Sequence, residues 1–488
     1  MTLLSAIVGQ TVANDVAITG VTADSRKVKP GFLFAALPGS QADGRAFIAK
    51  ALEAGAAAVL APEDVTGLPV PLVHARDIRR AYGLAAANFW GHQPATCVAI
   101  TGTNGKTSIA AFCRQMFATL GRTAGSMGTL GVVVSAPGEE DVVLTPPGLT
   151  TPDAADVAEL MARMADMGVT HVALEASSHG IDQRRLDGVR LTAAGFTNFT
   201  QDHLDYHGTM GAYRAAKLRL FDTLLPTGSI AVLNADSDQY AAFAAAAVTH
   251  GHTLISTGEA GEGIKLLERV LTPDGQTLTI AHKGVRHIVR LPLAGGFQAD
   301  NALVAAGLCI AAGEEAGAVF AALEQLDGAP GRMQRVGTGP RGGEAYVDYA
   351  HTPDGLETLL KALRPHVRGK LIAVFGAGGD RDSGKRPLMG EIAARLADIA
   401  IVTDDNPRSE DPASIRAASL AAAPGAREIG DRREAIRAGA ALLDDGDVLA
   451  VAGKGHEQGQ LVAGVNHPFD DVAETAAALE QGVGELNR

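Results

Sequence analysis

Short apolar runs separated by amphipathic stretches recur along the whole chain, and this pattern predicts a protein of the α/β class. Near the start, residues 16–21, 32–37 and 56–60 are apolar runs bounded by Gly and Pro, which predicts strands. Residues 46–54 have helical spacing. We therefore predict a small N-terminal α/β domain over residues 1–92.

A second domain is predicted over residues 93–328, where longer apolar runs alternate with helical stretches. This alternation is typical of a mostly parallel sheet covered by helices on both faces. The predicted strands are residues 97–101, 169–174, 193–199, 230–233 and 253–256. The predicted helices are residues 107–120, 154–167 and 213–224.

The remaining residues, 329–488, repeat the alternation and predict a Rossmann-like C-terminal domain. Its predicted strands are residues 345–349, 371–375, 399–403 and 448–452, and its predicted helices are residues 353–363, 386–396 and 412–423. Open α/β sheets bind ligands at the carboxyl ends of their strands. Polar residues that follow the strands ending at Thr403 and Ala452 are therefore candidates for a binding site.

Composition narrows the class of function. The 488 residues include 42 Lys and Arg against 55 Asp and Glu, a net charge of -13 that argues against a general nucleic-acid binder. Three cysteines without a CxxC pair argue against a disulfide framework or a structural zinc site. With no basic leader and no long uncharged apolar run, we expect a cytoplasmic protein without a membrane span. We also expect a monomer.

The sequence ITGTNGKTS at residues 100–108 lies between a predicted strand and a predicted helix. Free amides and the positive helix end at such a position suit a polyphosphate, with Lys106 on the outer phosphates and Thr107 on Mg²⁺. The full phosphate-loop pattern has glycine where this chain has Ile100. A structural turn is the alternative for the bare pattern. The candidate phosphate contacts are Gly102, Thr103, Asn104, Gly105, Lys106, Thr107 and Ser108.

Two further candidates for the metal follow predicted strands. Glu175 and His203 are singly more typical of polar residues at strand ends, but together with Thr107 they form a plausible magnesium set. Lys217, in the helical stretch 213–224, reads on its own as a cation on a helix surface.

Eight separated motifs then occur in a fixed order: TGTNGKT, LEASSHG, FTNFTQDHLDYHG, GRMQRV, DYAHTPD, GGDRD, DNPR and GKGHE. In these motifs and their order, the chain resembles the Mur ligase family nearly from end to end. The resemblance implies three domains, which hold a uridine nucleotide, ATP and an incoming amino acid.

The resemblance also implies roles for individual residues. Lys106, Glu175, His203 and Lys217 are the implied catalytic residues, with Lys217 carbamylated by CO₂. Two Mg²⁺ ions are implied on Thr107, Glu175, His203 and the Lys217 carbamate. Further ATP contacts are implied at Asn301, Arg332 and Asp348. The implied UDP-sugar-peptide contacts are Ser25, Ser40, Gln41, Ala42, Thr150, Thr151, Ser177, Gln183 and Arg185. Ser40 replaces a frequent His, and Leu149 replaces an Asn that some relatives have.

The implied reaction is ATP-dependent amide formation in peptidoglycan precursor synthesis. An acyl phosphate forms on the D-Glu γ-carboxylate of UDP-N-acetylmuramoyl-L-Ala-D-Glu, and meso-2,6-diaminopimelate displaces the phosphate. The implied amino-acid contacts are Arg381, Asp405, Asn406, Pro407, Arg408, Gly453 and Glu457.

Arg408 of DNPR is the expected clamp for the second carboxylate, because a guanidinium can form two parallel hydrogen bonds with it. Taken alone, DNPR is more typical of a turn before a helix. Glu410 and Asp411 are expected to be solvated residues that lead into that helix.

Three alternatives remain open at this point. The first is the L-lysine-adding ligase of the same family. The second is folylpolyglutamate synthetase, against which the extra first domain and DNPR argue. The third is a P-loop switch or motor, which would leave GGDRD and GKGHE without a role.

Overall fold

The computed structural model describes residues 2–39, 43–272 and 275–486, with side chains up to residue 480. Its contacts divide the chain into two compact units. Unit 1 comprises Met1–Lys265 with Leu303–Val319, and unit 2 comprises Leu266–Ala302 with Phe320–Arg488. The division falls within the strand Ile264–Thr272 and the helices Gly296–Ala311 and Ala316–Ala322.

Unit 1 begins with a four-stranded parallel sheet. Its strands, in spatial order, are Gly20–Thr22, Phe32–Ala35, Ala58–Ala61 and Leu72–His74. The short strands Thr2–Leu3 and Ala17–Ile18 pair separately. The helices of this part are Leu4–Val8, Ile48–Glu53, Ile78–Trp90 and the 3-10 turn Gly44–Phe47. The predicted strand 16–21 is therefore split at Thr19, and the predicted helix 46–54 begins as a 3-10 turn.

The larger sheet of unit 1 is mostly parallel. In spatial order its strands are Val142–Thr145, Gly131–Ser135, Ala124–Gly128, His171–Glu175, Thr96–Thr101, Ala193–Phe196, Ile230–Asn234 and Thr253–Gly258. The first three are antiparallel neighbours, and the rest run parallel. Its helices are Lys106–Thr119, Ala154–Asp166, Ser178–Asp182, Leu204–His207, Met210–Arg219 and Tyr240–Thr249.

Two predicted elements of unit 1 end earlier than expected. The strand predicted over 193–199 ends at Phe196, because the following residues bond to the loop after Thr101 instead of continuing the sheet. The helix predicted over 213–224 is α-helical only to Arg219 and continues as the π-helical turn Leu220–Leu224.

Unit 2 contains a six-stranded sheet. In spatial order its strands are Gln334–Thr338, Glu344–Asp348, Val448–Ala452, Leu371–Phe375, Ile399–Val402 and Arg427–Glu428, and only the first pair is antiparallel. Its helices are Pro353–Leu363, Lys385–Leu396, Pro412–Leu420, Arg432–Ala440 and Asp471–Leu486, with 3-10 turns at Leu323–Gln325 and Arg364–His366. Two antiparallel hairpins, Gly275–His282 with Val285–Leu291 and Gly459–Val462 with Val465–Pro468, were not predicted.

The inner strand Leu371–Phe375 is apolar along its whole length because it is buried on both faces of the sheet. Leu371, Ala373 and Phe375 enter one hydrophobic cluster, and Ile372 and Val374 enter another. Successive side chains of a strand point to opposite faces, so helices cover both faces of the sheet. The α/β class with a mostly parallel central sheet is confirmed. No helix in the described part of the chain is both long and apolar enough to cross a bilayer.

A buried ion pair fixes the last helix of unit 2. Arg432 and Asp471 are both fully buried, and two hydrogen bonds of 2.7 and 2.6 Å join them. The neighbouring Arg433 bonds to Glu474, which lies on the same helix as Asp471, but the Arg433 side chain is 47% exposed. The two arginines thus make similar pairs in opposite environments.

We expect Arg432→Met to lower the stability of unit 2 by about 3–5 kcal/mol, because it leaves Asp471 buried without its partner. The matched change Arg433→Met should cost far less, since water already screens that exposed pair. Thermal and urea unfolding of both variants measure the difference. Equal losses for the two variants would contradict this assignment.

Candidate functional site

The loop between the strand Thr96–Thr101 and the helix Lys106–Thr119 has the form of a phosphate cradle. Gly105 is the residue just before the helix and has a left-handed φ of 87°. Because the helix begins here, the amides of its first turn lack partners within the helix and lie at the loop. Gly102 has a φ of 149°, and a Cβ there would overlap the Thr197 hydroxyl. Glycine is therefore required at position 102.

The segment after the strand Ala193–Phe196 holds this loop in place. Asn198 accepts from the amide of Thr103 through its carbonyl and from the amide of Asn104 through Oδ1, both at 2.9 Å. The Thr197 hydroxyl donates to the Asn104 carbonyl at 2.6 Å. Backbone and side-chain atoms of Thr197 and Asn198 thus hold the loop through its own backbone groups, which leaves Lys106, Thr107 and Ser108 at the helix entrance.

Two lysine amino groups share one backbone oxygen at this loop. Lys106 Nζ donates to the carbonyls of Gly102 and Thr103 at 2.9 and 2.8 Å, and Lys217 Nζ donates to the same Gly102 carbonyl at 2.7 Å. Lys217 is 1% exposed and lies 4.5 Å from the centre of the Tyr213 ring. Burial, with a smaller effect of Lys106, lowers the pKa of Lys217 well below its usual value, while Asp202 opposes the shift.

The interpretation of Lys217 as a surface cation is therefore wrong. Its helical spacing could not show that the side chain points inward beneath the phosphate loop. A buried amine with a lowered pKa is neutral more of the time, and a neutral amine is a nucleophile.

Glu175 and Thr107 form the second pair at the loop. Glu175 is 3% exposed, and its Oε2 accepts from the Thr107 hydroxyl at 2.9 Å. Its Oε1 accepts from the amide of Thr129 at 2.7 Å. Hydroxyl and carboxylate oxygens are the ligands that Mg²⁺ prefers, so these side chains fit that ion. The described residues include no cluster of three His, Cys, Asp or Glu suited to a metal.

His203 lies at the far end of the same region. It has a left-handed φ of 51°, and its half-exposed ring lies 3.4 Å from Asp202 Oδ2. Its ring centre is 4.8 Å from that of His179 and 6.1 Å from that of Tyr213. Tyr213 thus lies beside both His203 and Lys217 in the folded chain.

The residues expected at the sugar-peptide end form one hydrogen-bonded network beside Glu175. The Thr151 hydroxyl donates to the Glu175 carbonyl at 2.8 Å and bonds to the Ser177 hydroxyl at 2.9 Å. Arg185 donates to the Thr151 carbonyl at 2.6 Å and to Gln183 Oε1 at 2.7 Å. Thr150 joins through Thr129, whose hydroxyl lies 3.0 Å from that of Thr150. Sequence reasoning missed Thr129, which has no motif of its own.

Ser25 lies in a separate cavity of about 1080 Å³ in unit 1. Phe32 and Trp90 also line it, together with charged side chains such as Lys27 and Asp156. The expected contacts Ser40, Gln41 and Ala42 lie outside the described residues.

The three remaining nucleotide candidates come together in unit 2. Asn301 donates to Gln298 Oε1 at 3.2 Å, and Gln298 donates to the Arg332 carbonyl at 3.3 Å. The Arg332 guanidinium lies 4.7 Å from the centre of the Tyr349 ring. Asp348 accepts from the amide of Met333 at 2.6 Å. Burial raises the pKa of the Asp348 carboxyl to about 6, although Arg332 opposes the shift.

A pocket of about 410 Å³ in unit 2 gathers most of the expected amino-acid contacts. Arg381, Asp405, Asn406, Arg408, Gly453 and Glu457 all line it. Pro407 does not line the pocket, but its carbonyl packs so closely on Gly379 that a Cβ there would overlap it. Sequence reasoning missed other lining residues, which lie in the DYAHTPD and GGDRD motifs or just after them: Tyr349, His351, Thr352, Asp382 and Lys385.

The glycines of the GAGGD stretch position Arg408. A Cβ at Gly378 would lie 2.8 Å from Arg408 Nη1, and that nitrogen donates to the Gly379 carbonyl at 2.7 Å. Arg408 itself has a left-handed φ of 53°, which is rare for an arginine. Its backbone is held there by bonds to Leu461 and Ala463.

Asp411 is exposed and leads into the helix, as expected, whereas Glu410 is only partly exposed and forms an ion pair. Glu410 accepts two hydrogen bonds, at 2.8 and 2.9 Å, from the nearly buried Arg386. Asp411 caps the helix Pro412–Leu420 by accepting from the amides of Ala413 and Ser414. Both side chains fix the loop that follows Arg408.

Comparison with known proteins identifies related sequences and folds. Family models match at residues 17–86 (Mur ligase family, catalytic domain), 100–309 (Mur ligase middle domain) and 331–455 (Mur ligase, glutamate ligase domain). The chain is 72% identical to the UDP-N-acetylmuramoyl-L-alanyl-D-glutamate--2,6-diaminopimelate ligase of Caulobacter vibrioides, over 98% of both chains. It is 52% identical to the ligase of that name from Mesorhizobium japonicum, over 96% of both.

A solved structure of a UDP-N-acetylmuramoyl-L-alanyl-D-glutamate--2,6-diaminopimelate ligase is also similar. It has a TM-score of 0.76 and 34% identity, and the alignment covers 98% of this chain and 99% of that one.

The raised pKa of Asp348 makes stability depend on pH. An acid whose pKa is higher when folded favours the folded state at low pH, and this contribution is lost as the pH rises through the folded pKa. From pH 4 to pH 7, wild-type protein should therefore lose up to about 3 kcal/mol relative to Asp348→Asn. Melting temperatures across that range, with the exposed Glu391→Gln as the charge control, measure the effect. Parallel curves for wild type and Asp348→Asn would contradict it.

Proposed function

The chain belongs to the Mur ligase family of ATP-dependent, ADP-forming ligases, and we propose that it joins meso-2,6-diaminopimelate to UDP-N-acetylmuramoyl-L-Ala-D-Glu. The new amide forms at the γ-carboxylate of D-Glu, as a step in peptidoglycan precursor synthesis. The main support is the pocket of unit 2, where Arg381 and Arg408 occur together with Asp405 and Glu457. That mixture of charges suits an amino acid with two carboxylates and two ammonium groups.

Unit 1 is proposed to bind ATP phosphates and Mg²⁺. The backbone amides at Gly105 and Lys106 favour an anion, and the ammonium of Lys106 can leave its carbonyl partners to contact phosphate. Bound Mg²⁺, on Thr107 and Glu175 and with a second ion near His203, would offset the repulsion between carboxylate and triphosphate. Asn301, Arg332 and Asp348 are proposed as further contacts of the nucleotide.

Lys217 is proposed to be carbamylated. Its neutral amine would attack CO₂, so that a nitrogen–carbon bond forms, one proton is released and an anionic N-carboxylate results. Burial and the neighbouring Lys106 favour this reaction, because both disfavour a second ammonium at the Gly102 carbonyl. The product replaces a cation with a negatively charged oxygen ligand, which suits a hard metal ion.

The reaction then needs two transfers. The γ-carboxylate of D-Glu attacks the γ-phosphorus of ATP, ADP leaves and an acyl phosphate forms. The free amine of diaminopimelate attacks the acyl carbon, phosphate leaves and the amine loses a proton. Lys106 would stabilise the charge that develops on the transferred phosphoryl group. The Thr151, Ser177 and Arg185 network would hold the peptide carboxylate in line.

Arg408 is proposed to select the amino acid. L-Lysine lacks the second carboxylate of diaminopimelate, so its binding would leave the guanidinium without a negative partner. This argues against the L-lysine-adding alternative. Folylpolyglutamate synthetase and a P-loop switch find no support in the relatives that cover nearly the whole chain. The division into domains 1–92, 93–328 and 329–488 stays a prediction, and we propose a cytoplasmic monomer.

Lys217→Ala should reduce turnover at least a thousandfold, on the order of the loss of a charge-stabilising group at a phosphoryl-transfer site. Added bicarbonate should not restore it. Protein equilibrated with ¹³C-bicarbonate should show a carbamate carbon signal that disappears in Lys217→Ala and persists in the exposed control Lys265→Ala. Near-normal turnover of Lys217→Ala, or a signal that survives this change, would exclude the carbamate.

Release of ADP should require both the UDP-sugar dipeptide and meso-diaminopimelate, with L-lysine and LL-diaminopimelate as poorer substrates.

Arg408→Met should lower kcat/KM for meso-diaminopimelate by about a hundredfold or more, as for loss of a buried charge pair. The exposed change Arg395→Met should have little effect. Equal ADP release with L-lysine and meso-diaminopimelate would show that Arg408 is not the clamp.

A further inference from the structure

Lys454 is a charged residue without an assigned role, although it lies beside the amino-acid pocket. It follows the strand Val448–Ala452 in the GKGHE motif, and its side chain is fully buried. Its ammonium donates to Asn406 Oδ1 and to the Gly459 carbonyl, both at 2.8 Å. It also lies 3.5 Å from Asp405 Oδ1 and 3.9 Å from Glu457 Oε2. One ammonium, which does not itself line the pocket, therefore lies against three of the proposed substrate-binding residues: Asp405, Asn406 and Glu457.

The first consequence concerns the orientation of the Asn406 amide. Its oxygen accepts from Lys454 Nζ and from the Leu461 amide, the latter at 2.9 Å. The nitrogen side must then face Glu457, and Nδ2 donates to Glu457 Oε2 at 2.9 Å. An amide that turned over would place its donors against the ammonium. Lys454 thus determines which atoms of Asn406 and Glu457 remain for a ligand.

The second consequence concerns Arg408. The hairpin Gly459–Val462 with Val465–Pro468, here the 459–468 hairpin, lies along the DNPR segment. The Arg408 amide donates to the Leu461 carbonyl at 2.9 Å, and the Ala463 amide donates to the Arg408 carbonyl at 2.6 Å. These bonds hold Arg408 in its left-handed conformation. Since Lys454 bonds to the Gly459 carbonyl, the same ammonium anchors the start of this hairpin.

We propose that Lys454 is a positioning residue for amino-acid selection, which acts together with the 459–468 hairpin to set the Asn406 amide, the Glu457 carboxylate and the Arg408 guanidinium. This inference rests on the function proposed above. Lys454 does not touch the substrate in this scheme. It fixes the distance between Asn406 and Glu457, which would accept hydrogen bonds from a substrate ammonium, and Arg408, which would bind the second carboxylate.

A purely structural role makes a different prediction. A buried ammonium between two carboxylates also supports folding, and its removal would take away the cation that lies 3.5 Å from Asp405 Oδ1. Loss of stability alone would affect all substrates alike. A positioning role instead predicts that the KM for the amino acid changes while those for ATP and the UDP-sugar dipeptide do not, and that discrimination between amino acids weakens.

The test uses Lys454→Met, which keeps much of the side-chain volume and removes the charge. We expect the KM for meso-diaminopimelate to rise at least tenfold, with the other two KM values within twofold of wild type. The preference for meso-diaminopimelate over L-lysine in kcat/KM should fall by a similar factor. Lys361→Met, which removes an exposed lysine of the same unit, is the matched control and should change none of these values.

A second variant tests the 459–468 hairpin by a substitution outside the hydrophobic core. Ala463, in the turn of this hairpin, has a left-handed φ of 47°, and its amide donates to the Arg408 carbonyl. Proline can adopt neither that φ nor that hydrogen bond, so Ala463→Pro should displace the 459–468 hairpin. It should raise the KM for meso-diaminopimelate selectively, and it decides the question if Lys454→Met does not melt cooperatively.

Each outcome has a distinct meaning. An unchanged KM for meso-diaminopimelate in folded Lys454→Met, or an equal rise in all three KM values, would overturn the proposal. So would an unchanged KM in Ala463→Pro where Lys454→Met fails to fold. If wild-type protein released no ADP with meso-diaminopimelate, the proposed function would fail instead.

Discussion

The organisation of both units depends on one constraint: a parallel strand that is buried on both faces has room for polar side chains only at its ends. In unit 1 the strands that end at Thr101, Glu175 and Phe196 are neighbours, so the phosphate loop, the Glu175 carboxylate and Thr197 meet at one edge. In unit 2 the strands that end at Asp348, Ala452, Phe375 and Val402 lie side by side in that order and do the same for the amino-acid pocket. Ligand chemistry is therefore concentrated in a few residues after each strand.

The periodicity of the sequence predicted most strands and helices of these sheets, because their burial leaves near-continuous apolar runs. It missed the hairpins at 275–291 and 459–468, whose mixed polar residues look like loops. Gly102, Lys106 and Thr107 could be found from local sequence. The inward position of Lys217 and the pairing of Glu410 with Arg386 could not, since each depends on contacts far away in the sequence.

The buried cations differ in what surrounds them, and their chemistry should differ accordingly. Arg432 forms two hydrogen bonds with a buried carboxylate, which keeps it charged and inert. Lys217 bonds to a neutral carbonyl and is buried beside a second lysine, and both its burial and that lysine disfavour its charge. Lys454 lies between these cases, because burial lowers its pKa while Asp405 opposes the shift. The partner, rather than burial itself, separates a structural cation from a reactive one.

The 459–468 hairpin contacts Arg408 and Asn406 through backbone atoms, while its second strand, Val465–Pro468, is exposed along its whole length. Substitutions on that strand can therefore alter the tilt of the hairpin without disturbing either hydrophobic cluster of the sheet. This arrangement separates the evolution of substrate choice from the preservation of the fold. Surface mutations on that strand would then tune how strongly the pocket prefers its amino acid, while the arginine that recognises it stays in place.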